Sequence, residues 1–217
     1  MLAAAPRLRA VLLDWDGTLV DSYHADARAY LEMFRALNIG WGLAELERHY
    51  SPNWYNVYRA ARIPRAQWKR ADYLWRRAYR YQDARPYSGT RRALAALARR
   101  YRLGLVTGGG RARVRRQLVE FDLARAFAVR VFSEDTPRKK PHPAPLRLAL
   151  RRLALECGEC VYVGDAPQDI EMARNAGVFS IAVIGTSPVP ARLKASRPDA
   201  SIDSIDELPA LLRRLKL

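Results

Sequence analysis

The chain has 217 residues, with 38 lysines and arginines against 22 aspartates and glutamates, which gives a formal net charge of +16. Hydrophobic residues make up 49% and charged residues 28%, a composition that excludes a disordered or low-complexity chain. No run reaches the roughly 18 consecutive apolar residues of a membrane span, and residues 1–10 lack the apolar segment of a secretory signal, so we expect a cytoplasmic protein with no membrane partner.

Short apolar runs alternate with amphipathic helical patterns along most of the chain. The predicted strands are 8–14, 101–107, 128–133, 160–164 and 178–184, and the predicted helices are 90–100, 111–121, 144–155, 168–176 and 206–215. This alternation predicts right-handed crossovers and a parallel sheet, which together make a doubly wound, Rossmann-like α/β domain. Ligands bind beyond the carboxyl ends of the strands in such a domain, and Asp14, Thr107 and Asp165 lie at those ends.

The segment 22–87 interrupts the alternation, because it contains no convincing strand and its pattern predicts several helices. We therefore predict a core domain of residues 1–21 and 88–217 with an inserted all-helical domain of residues 22–87. The insertion holds 4 of the 5 Trp and 9 of the 11 Tyr, among 12 basic and 6 acidic residues. Aromatics interleaved with arginine suit stacking on bases, but their helical spacing favours the core of a small bundle.

The charge and the cysteines add little evidence for other partners. Of the 38 basic residues, 33 are arginines that are spread over most predicted helices, so we expect no nucleic-acid partner. A positive field of this kind would speed the approach of an anionic small molecule.

Cys157 and Cys160 form a C-x-x-C pair, but a structural zinc needs about four ligands, and Cys160 begins an apolar strand. We expect neither a metal nor a redox site at these cysteines.

Acidic residues follow two of the predicted strands. Asp14 and Asp16 lie in the turn after the first strand, Asp165 follows a later strand, and Asp169 comes one helical turn further on. Mg²⁺ is usually bound by one or two carboxylates together with substrate phosphate. A single D-x-D is typical of a capped turn, but a further carboxylate at another strand end favours a Mg²⁺ site.

Four motifs resemble, in order and spacing, those of the haloacid dehalogenase superfamily. They are D-W-D-G-T-L-V-D-S at 14–22, Thr107 after a strand, Lys140 in K-P-H-P, and G-D-A-P-Q-D-I-E-M-A-R-N-A-G at 164–177. The first and third are most similar to the phosphoglycolate phosphatase branch, whose members insert a helical cap after the first motif. The resemblance covers the whole chain and identifies residues 22–87 as such a cap domain.

The resemblance implies a Mg²⁺-dependent phosphatase. Asp14 would be the nucleophile that forms an aspartyl-phosphate, and Asp16 would protonate the leaving alkoxide and then deprotonate the hydrolytic water. Mg²⁺ would be held by the carboxylates of Asp14 and Asp165 and by the main-chain carbonyl of Asp16. Asp16 also argues against dehalogenation, since a halide leaves without needing a proton.

The remaining motif residues would hold the phosphoryl group. Thr107, Gly108 and Lys140 would bind its oxygens, and Asp169 would support Lys140 or the waters on the metal. Lys139 is adjacent, but the register of K-P-x-P selects Lys140.

Three residues depart from the family pattern without removing a catalytic group. Trp15 is bulkier than the usual residue, Gly108 replaces a common Asn, and Ser88 replaces a common Pro.

Three functions remain open from the sequence. The first is a phosphatase acting on a small phosphorylated substrate, and the second is a sugar-phosphate mutase of the same family. The third is a basic module that binds nucleic acid or protein on the same scaffold, since a fold alone does not determine function. The complete set of motif residues favours an enzyme, because a binding module has no need for all of them. A homodimer is also left open.

Overall fold

The computed structural model describes residues 8–51, 53–79 and 84–215. The chain divides into two compact units, one made of Met1–Val20 with Pro86–Leu217 and the other of Asp21–Arg85. The sequence-based boundaries of the insertion, 22 and 87, lie within two residues of this division. Among the described residues, none of the helices combines the length and the apolar character that crossing a membrane requires.

The larger unit is built on a six-stranded sheet. In chain order the strands of the protein are β1 (Ala10–Leu13), β2 (Val20–Asp21), β3 (Arg85–Pro86), β4 (Arg102–Val106), β5 (Val129–Val131), β6 (Cys160–Gly164), β7 (Phe179–Val183) and β8 (Ala200–Ile202). The short strands β2 and β3 pair with each other, and the other six follow the order β5-β4-β1-β6-β7-β8 with every pair parallel. The order runs outward from β1 in both directions, as in the doubly wound fold that the sequence predicts.

The helices connect these strands and build the smaller unit. In the larger unit they are α5 (Thr90–Ala98), α6 (Arg111–Glu120), α7 (Ala144–Leu153), α8 (Pro167–Ala176), α9 (Pro190–Ala195) and α10 (Leu208–Leu215). In the smaller unit they are α1 (Tyr23–Ala36), α2 (Leu43–His49), α3 (Trp54–Ala60) and α4 (Trp68–Tyr79). Parallel strands require such crossovers because one strand must return to the same end of the sheet before the next begins.

Most predicted elements of the larger unit are present with small changes at their ends, but four differences arise. The strand β2 was not predicted, because two residues are too few to show a period. The strand β8 and the helix α9 were not predicted, since a three-residue strand and a six-residue helix are too short to show a period. The prediction that residues 22–87 contain no strand is wrong at Arg85–Pro86, because a two-residue strand that includes a proline carries no strand signal. Cys160 is buried at the start of β6, as predicted.

The central strand β1 is apolar and completely buried. It lies between β4 and β6, and Leu13 at its end is opposite both Leu105 and Val163. The amide of the next residue, Asp14, continues the ladder and donates to the Val163 carbonyl at 2.9 Å. A strand that is covered on both faces needs apolar residues throughout, so its first polar residue marks the point where the chain leaves the sheet.

Aromatic residues form the core of the smaller unit. Tyr30 and Phe34 on α1 are buried in one cluster with apolar residues of α2, α3 and α4. Trp68 on α4 stacks on Tyr55 on α3, with 4.8 Å between ring centroids and 17° between the planes. Trp75 packs against the same cluster and donates its indole N–H to Asp26 at 2.9 Å. These contacts confirm the prediction that the aromatics are the core of a helical bundle.

Candidate active site

Three buried aspartates meet at the carboxyl ends of the central strands. Asp14 follows β1, Asp165 follows β6, and Asp169 lies in the first turn of α8. One carboxylate oxygen from each lies within 4.8 Å of the others. Because β1 and β6 are neighbouring parallel strands, residues that directly follow them come out at the same edge of the sheet. The structure thus brings together three of the acidic residues that the sequence singles out.

The D-G-T turn after β1 fits closely around Asp165. A Cβ atom at Gly17 would lie 2.2 Å from Asp165 Oδ2, and the φ angle of Gly17 is +75°, so only glycine fits there. The hydroxyl of the next residue, Thr18, is buried and donates to Asp165 Oδ1 at 2.8 Å. These two contacts fix the Asp165 carboxylate beside the turn that carries Asp14 and Asp16.

Lys140 supplies the positive charge of the aspartate cluster. Its side chain is 3% exposed, and its Nζ atom lies 2.9 Å from Asp14 Oδ1 and 2.7 Å from Asp169 Oδ1. Neighbouring Lys139 instead donates to the main-chain carbonyls of Ser133 and Thr136. The structure therefore distinguishes the two lysines in the same way as the register of the K-P-x-P motif.

Tyr162, in the middle of β6, supports this ion pair from within the sheet. Its hydroxyl lies 2.9 Å from the Val106 carbonyl oxygen and 3.1 Å from Asp169 Oδ1. Lys140 Nζ lies 5.5 Å from the centroid of the tyrosine ring, within the range of a cation–π contact. Asp169 also accepts from the Ala166 amide through its other oxygen at 3.1 Å. Asp169 is thus held by the tyrosine hydroxyl and a main-chain amide while it contacts Lys140.

We expect Tyr162→Phe to lower the free energy of unfolding by about 1–3 kcal/mol, because it removes the one buried hydroxyl proton that lies within hydrogen-bond distance of both the Val106 carbonyl and Asp169 Oδ1. Urea unfolding measures the change, and Tyr73→Phe is the control, since Tyr73 is 62% exposed. A loss no larger than that of the control would show that the buried hydroxyl contributes little to stability.

Burial and neighbouring charges both shift the pKa values of the cluster, in opposite directions at Lys140 but in the same direction at Asp165. Burial raises the pKa of Asp14 to about 7 against the opposing effect of Lys140, and burial together with Asp169 and Asp14 raises the pKa of Asp165 well above its usual range. Burial lowers the pKa of Lys140, but the two carboxylates beside it raise that pKa by more. Charged carboxylates are therefore costly here in the absence of a further cation.

The donor set fits a hard divalent cation. Three carboxylates and one ammonium leave an excess of negative charge when all are ionised, and carboxylate oxygens are the ligands that Mg²⁺ takes in proteins. A divalent cation among these oxygens would offset the repulsion that raises the pKa of Asp165. The predicted ligands are the carboxylates of Asp14 and Asp165 and the main-chain carbonyl of Asp16, and this set stays a prediction.

Asp16 lies in the same turn, but its carboxylate points to a different partner. It forms a two-point ion pair with Arg113 on α6, with contacts of 2.8 Å and 2.6 Å. It is not one of the three carboxylates of the buried cluster. The predicted roles of Asp16 use its main-chain carbonyl for the metal and its side chain for proton transfer, so they do not need the carboxylate in the cluster.

Thr107 and Gly108 begin the loop after β4. Thr107 is 3% exposed, its amide continues the ladder to the Val131 carbonyl at 3.0 Å, and its hydroxyl oxygen accepts from the Gly109 amide at 2.9 Å. Gly108 is partly exposed next to it. The structure places both residues at the end of the strand beside β1, and their predicted contacts with a phosphoryl group stay a prediction.

Three residues that contact the site were not singled out from the sequence. Thr18 stands within the D-G-T motif, so the motif itself carried the signal for it. Tyr162 has the pattern of an apolar strand residue, and its hydroxyl contacts could not be foreseen from that pattern. Arg113 is one of many arginines, and it meets Asp16 because α6 begins directly after the short loop that follows β4.

Comparisons with known proteins agree with this arrangement. A family model for haloacid dehalogenase-like hydrolases matches residues 11–183. A plasmid-encoded phosphoglycolate phosphatase from Cupriavidus necator is 32% identical over an alignment 225 residues long. The alignment covers 96% of this chain and 94% of that protein. The match therefore extends over almost the whole of both chains.

Solved structures show the same fold. A candidate phosphoglycolate phosphatase from Lactobacillus plantarum superposes with a TM-score of 0.87 at 19% identity, covering 94% of this chain and 99% of that one. A candidate β-phosphoglucomutase from Bacteroides vulgatus superposes with a TM-score of 0.82 at 21% identity, covering 98% and 90%. At these identities the structures establish only the fold. Proteins named for two different reactions have this fold, so the fold does not choose between the reactions.

The family assignment rests on the family model and on the relative from Cupriavidus necator. The family match includes all of β1 except Ala10, the whole of β6, and the motif residues that follow these strands. The chain therefore belongs to the haloacid dehalogenase-like hydrolases.

Proposed function

We propose that the chain is a Mg²⁺-dependent phosphatase that hydrolyses a small phosphomonoester through an aspartyl-phosphate on Asp14. The observation that carries this proposal is the buried group at the ends of β1 and β6, where Lys140 lies 2.9 Å from Asp14 and Asp165 lies beside it. Carboxylates act as nucleophiles toward phosphorus when the charge of the phosphate is neutralised. The family assignment and the curated relative support the same reaction class.

In the first half of the reaction, a carboxylate oxygen of Asp14 forms a bond to phosphorus while the bond to the leaving oxygen breaks. Asp16 gives its proton to that oxygen, so the product leaves as an alcohol rather than as a strongly basic alkoxide. The phosphoryl group then remains on Asp14. Asp16 lies in the same turn after β1, two residues beyond the nucleophile, so one short loop carries both groups.

In the second half, a water molecule attacks phosphorus on the aspartyl-phosphate. Asp16, now a carboxylate, takes the proton of the water, and the bond between phosphorus and Asp14 breaks. Inorganic phosphate leaves, and both aspartates return to their starting states. The proton balance therefore closes within one turnover without any other acid or base.

Lys140, Thr107 and Gly108 hold the phosphoryl oxygens in this proposal. Lys140 is fixed by Asp14 and Asp169, so its ammonium needs little reorganisation to stabilise charge on the transferring group. The carboxylates of Asp14 and Asp165 and the main-chain carbonyl of Asp16 would hold Mg²⁺, which would neutralise charge between the anionic nucleophile and the anionic phosphate. Asp169 positions Lys140 through the 2.7 Å contact.

The substrate class is a small phosphomonoester, and phosphoglycolate is the first compound to test because the curated relative is named for it. We assign the helical unit Asp21–Arg85 as the cap domain of this enzyme, in line with the predicted insertion.

Phosphate release from a panel of phosphomonoesters tests the proposal. The panel contains phosphoglycolate, nucleoside monophosphates and sugar phosphates, each measured with MgCl₂, with EDTA, and with EDTA followed by excess MgCl₂. We expect turnover of at least one ester that EDTA abolishes and MgCl₂ restores. No turnover of any ester by folded, metal-loaded protein would overturn the proposal. Activity that requires a sugar bisphosphate would indicate a mutase instead.

A further inference from the structure

The ion pair between Asp16 and Arg113 has the geometry of a fixed fork. Arg113 Nη1 donates to Asp16 Oδ1 at 2.8 Å, and Nη2 donates to Oδ2 at 2.6 Å. The two side chains are 26% exposed for Asp16 and 19% exposed for Arg113, so they lie at the edge of the site rather than in free solvent. Two parallel hydrogen bonds set both the position and the plane of a carboxylate, which a single contact does not.

Arg113 is itself held in place by a buried group on its own helix. Gln117, one helical turn further along α6, accepts from Arg113 Nη1 at 3.1 Å through its Oε1 atom. The same oxygen accepts from the indole N–H of Trp15 at 2.9 Å. Trp15 is completely buried and stacks on Phe121, with ring centroids 6.2 Å apart. The bulky residue between Asp14 and Asp16 thus anchors, through Gln117, the arginine that holds the second aspartate.

The loop after β4 leaves space for this ion pair. A Cβ atom at Gly109 would lie 2.6 Å from Arg113 Nη2, 2.7 Å from Val114 Cγ2 and 3.2 Å from Asp16 Oδ2, so a larger residue would crowd both the ion pair and the buried face of α6. Within the glycine run at 108–110, the missing side chain of Gly109 thus leaves room for the ion pair between Asp16 and Arg113. Gly109, Trp15 and Gln117 are three separate features of this chain that favour one contact.

We infer that Arg113 is a positioning residue that aims the Asp16 carboxyl group at the oxygen of the leaving group. The inference rests on the proposed function and identifies what orients its acid–base residue. Both oxygens of Asp16 accept from the fork, so a proton carried on one oxygen replaces one of the two bonds while the other bond keeps the carboxyl group in place. Protonation of the leaving oxygen requires that this oxygen be within hydrogen-bond distance along a suitable direction, which the fork sets.

Two substrates whose leaving groups differ in basicity distinguish the loss of Asp16 positioning from a general loss of structure in the variant. An alkyl phosphate releases a strongly basic alkoxide that needs a proton, whereas p-nitrophenyl phosphate releases a weakly basic phenolate that does not. The quantity that isolates protonation of the leaving group is kcat/KM, because it reports the steps up to phosphoryl transfer to Asp14, whereas hydrolysis of the aspartyl-phosphate is the same step for every ester. For Arg113→Gln we expect kcat/KM on the best alkyl ester of the panel to fall about 10- to 100-fold, and kcat/KM on p-nitrophenyl phosphate to fall by less than about threefold. This difference between the two esters is called the split below. Arg113→Lys keeps the charge without the fork and should give a smaller split of the same kind.

A double mutant tests whether Arg113 acts through Asp16. Asp16→Asn should show a larger split than Arg113→Gln, and adding Arg113→Gln to Asp16→Asn should change neither ester further, because coupled residues are not additive. Arg115→Gln is the matched control, since Arg115 is exposed on the same helix.

Each other result overturns the inference in an identifiable way. Equal losses of kcat/KM on both esters, accompanied by a lower melting temperature, would make Arg113 a purely structural residue. A rise in KM confined to carboxylate-bearing substrates would make it a substrate-binding residue. Wild-type turnover with no split in the variants defeats this inference alone, whereas absence of turnover on both esters by the wild type defeats the proposed function and this inference with it.

Discussion

Replacement of Asp14 by asparagine is expected to lower phosphate release at least about 10³-fold on every monoester that the wild type hydrolyses. An amide oxygen does not attack phosphorus as a carboxylate does, so the aspartyl-phosphate cannot form. The loss should be the same for alkyl and aryl esters, because both need the nucleophile. Mass spectrometry of the acid-quenched wild type should find one phosphoryl group on the peptide that contains Asp14, and none in the variant.

The fold should tolerate this change. The substituted amide keeps an oxygen that can accept from Lys140, and burial already disfavours the charged form of Asp14, whose pKa is about 7. We therefore expect a melting temperature equal to or above that of the wild type. Asp203→Asn, which changes an exposed aspartate in the same way, is the control for activity. Full turnover by freshly purified Asp14→Asn would exclude Asp14 as the nucleophile.

Replacement of Lys140 by methionine is expected to affect both activity and stability. The variant loses the ammonium that stabilises charge on the phosphoryl group in the proposed mechanism, and we expect kcat to fall about 10²–10³-fold. It also leaves Asp14 and Asp169 buried without their cation, and removing one partner of a buried ion pair costs about 3–5 kcal/mol. Turnover with MgCl₂ and urea unfolding in the presence of EDTA measure the two effects separately.

Mg²⁺ provides a second readout for the same variant. A divalent cation bound by the aspartates would replace part of the missing charge, so MgCl₂ should raise the melting temperature of Lys140→Met more than that of the wild type. Lys139→Met is the matched control, since Lys139 contacts main-chain carbonyls and not the aspartates. Equal shifts with MgCl₂ in the variant and the wild type would show that the cation does not bind near Lys140.

The sequence was most informative where function and fold restrict the same residues. Buried strands such as β1 and β6 are apolar along their whole length, so the first acidic residue after each is conspicuous. Their adjacency follows from the general topology of doubly wound sheets, which is why Asp14 and Asp165 could be expected at one edge. The predicted insertion could also be recognised, because helical periods replace the alternation of strands and helices there.

Contacts made by side chains from distant segments could not be predicted in the same way. The carboxylate of Asp16 could be assigned a role, but nothing in its spacing shows that it pairs with Arg113 on α6. Tyr162 matches the apolar pattern of β6, and only the packed sheet shows that its hydroxyl reaches Asp169. Trp15 is a departure from the family motif that the sequence alone does not explain, and its bond to Gln117 supplies a reason for it. Such contacts depend on tertiary packing, which local periodicity does not encode.

The position of β1 in the sheet also determines when during synthesis the protein can acquire activity. Ala10 pairs with Arg102 on one side and with Cys160 on the other, so a ribosome makes the central strand long before either of its neighbours. Until β4 and β6 emerge, this apolar strand has two unpaired edges, a condition in which chains associate wrongly unless they are protected. Asp14 meets Lys140 and Asp165 only after the last third of the chain has begun to emerge. Under the proposed mechanism, a nascent or truncated chain that ends before β6 has Asp14 but lacks Asp165, and we expect it to hydrolyse no phosphoester.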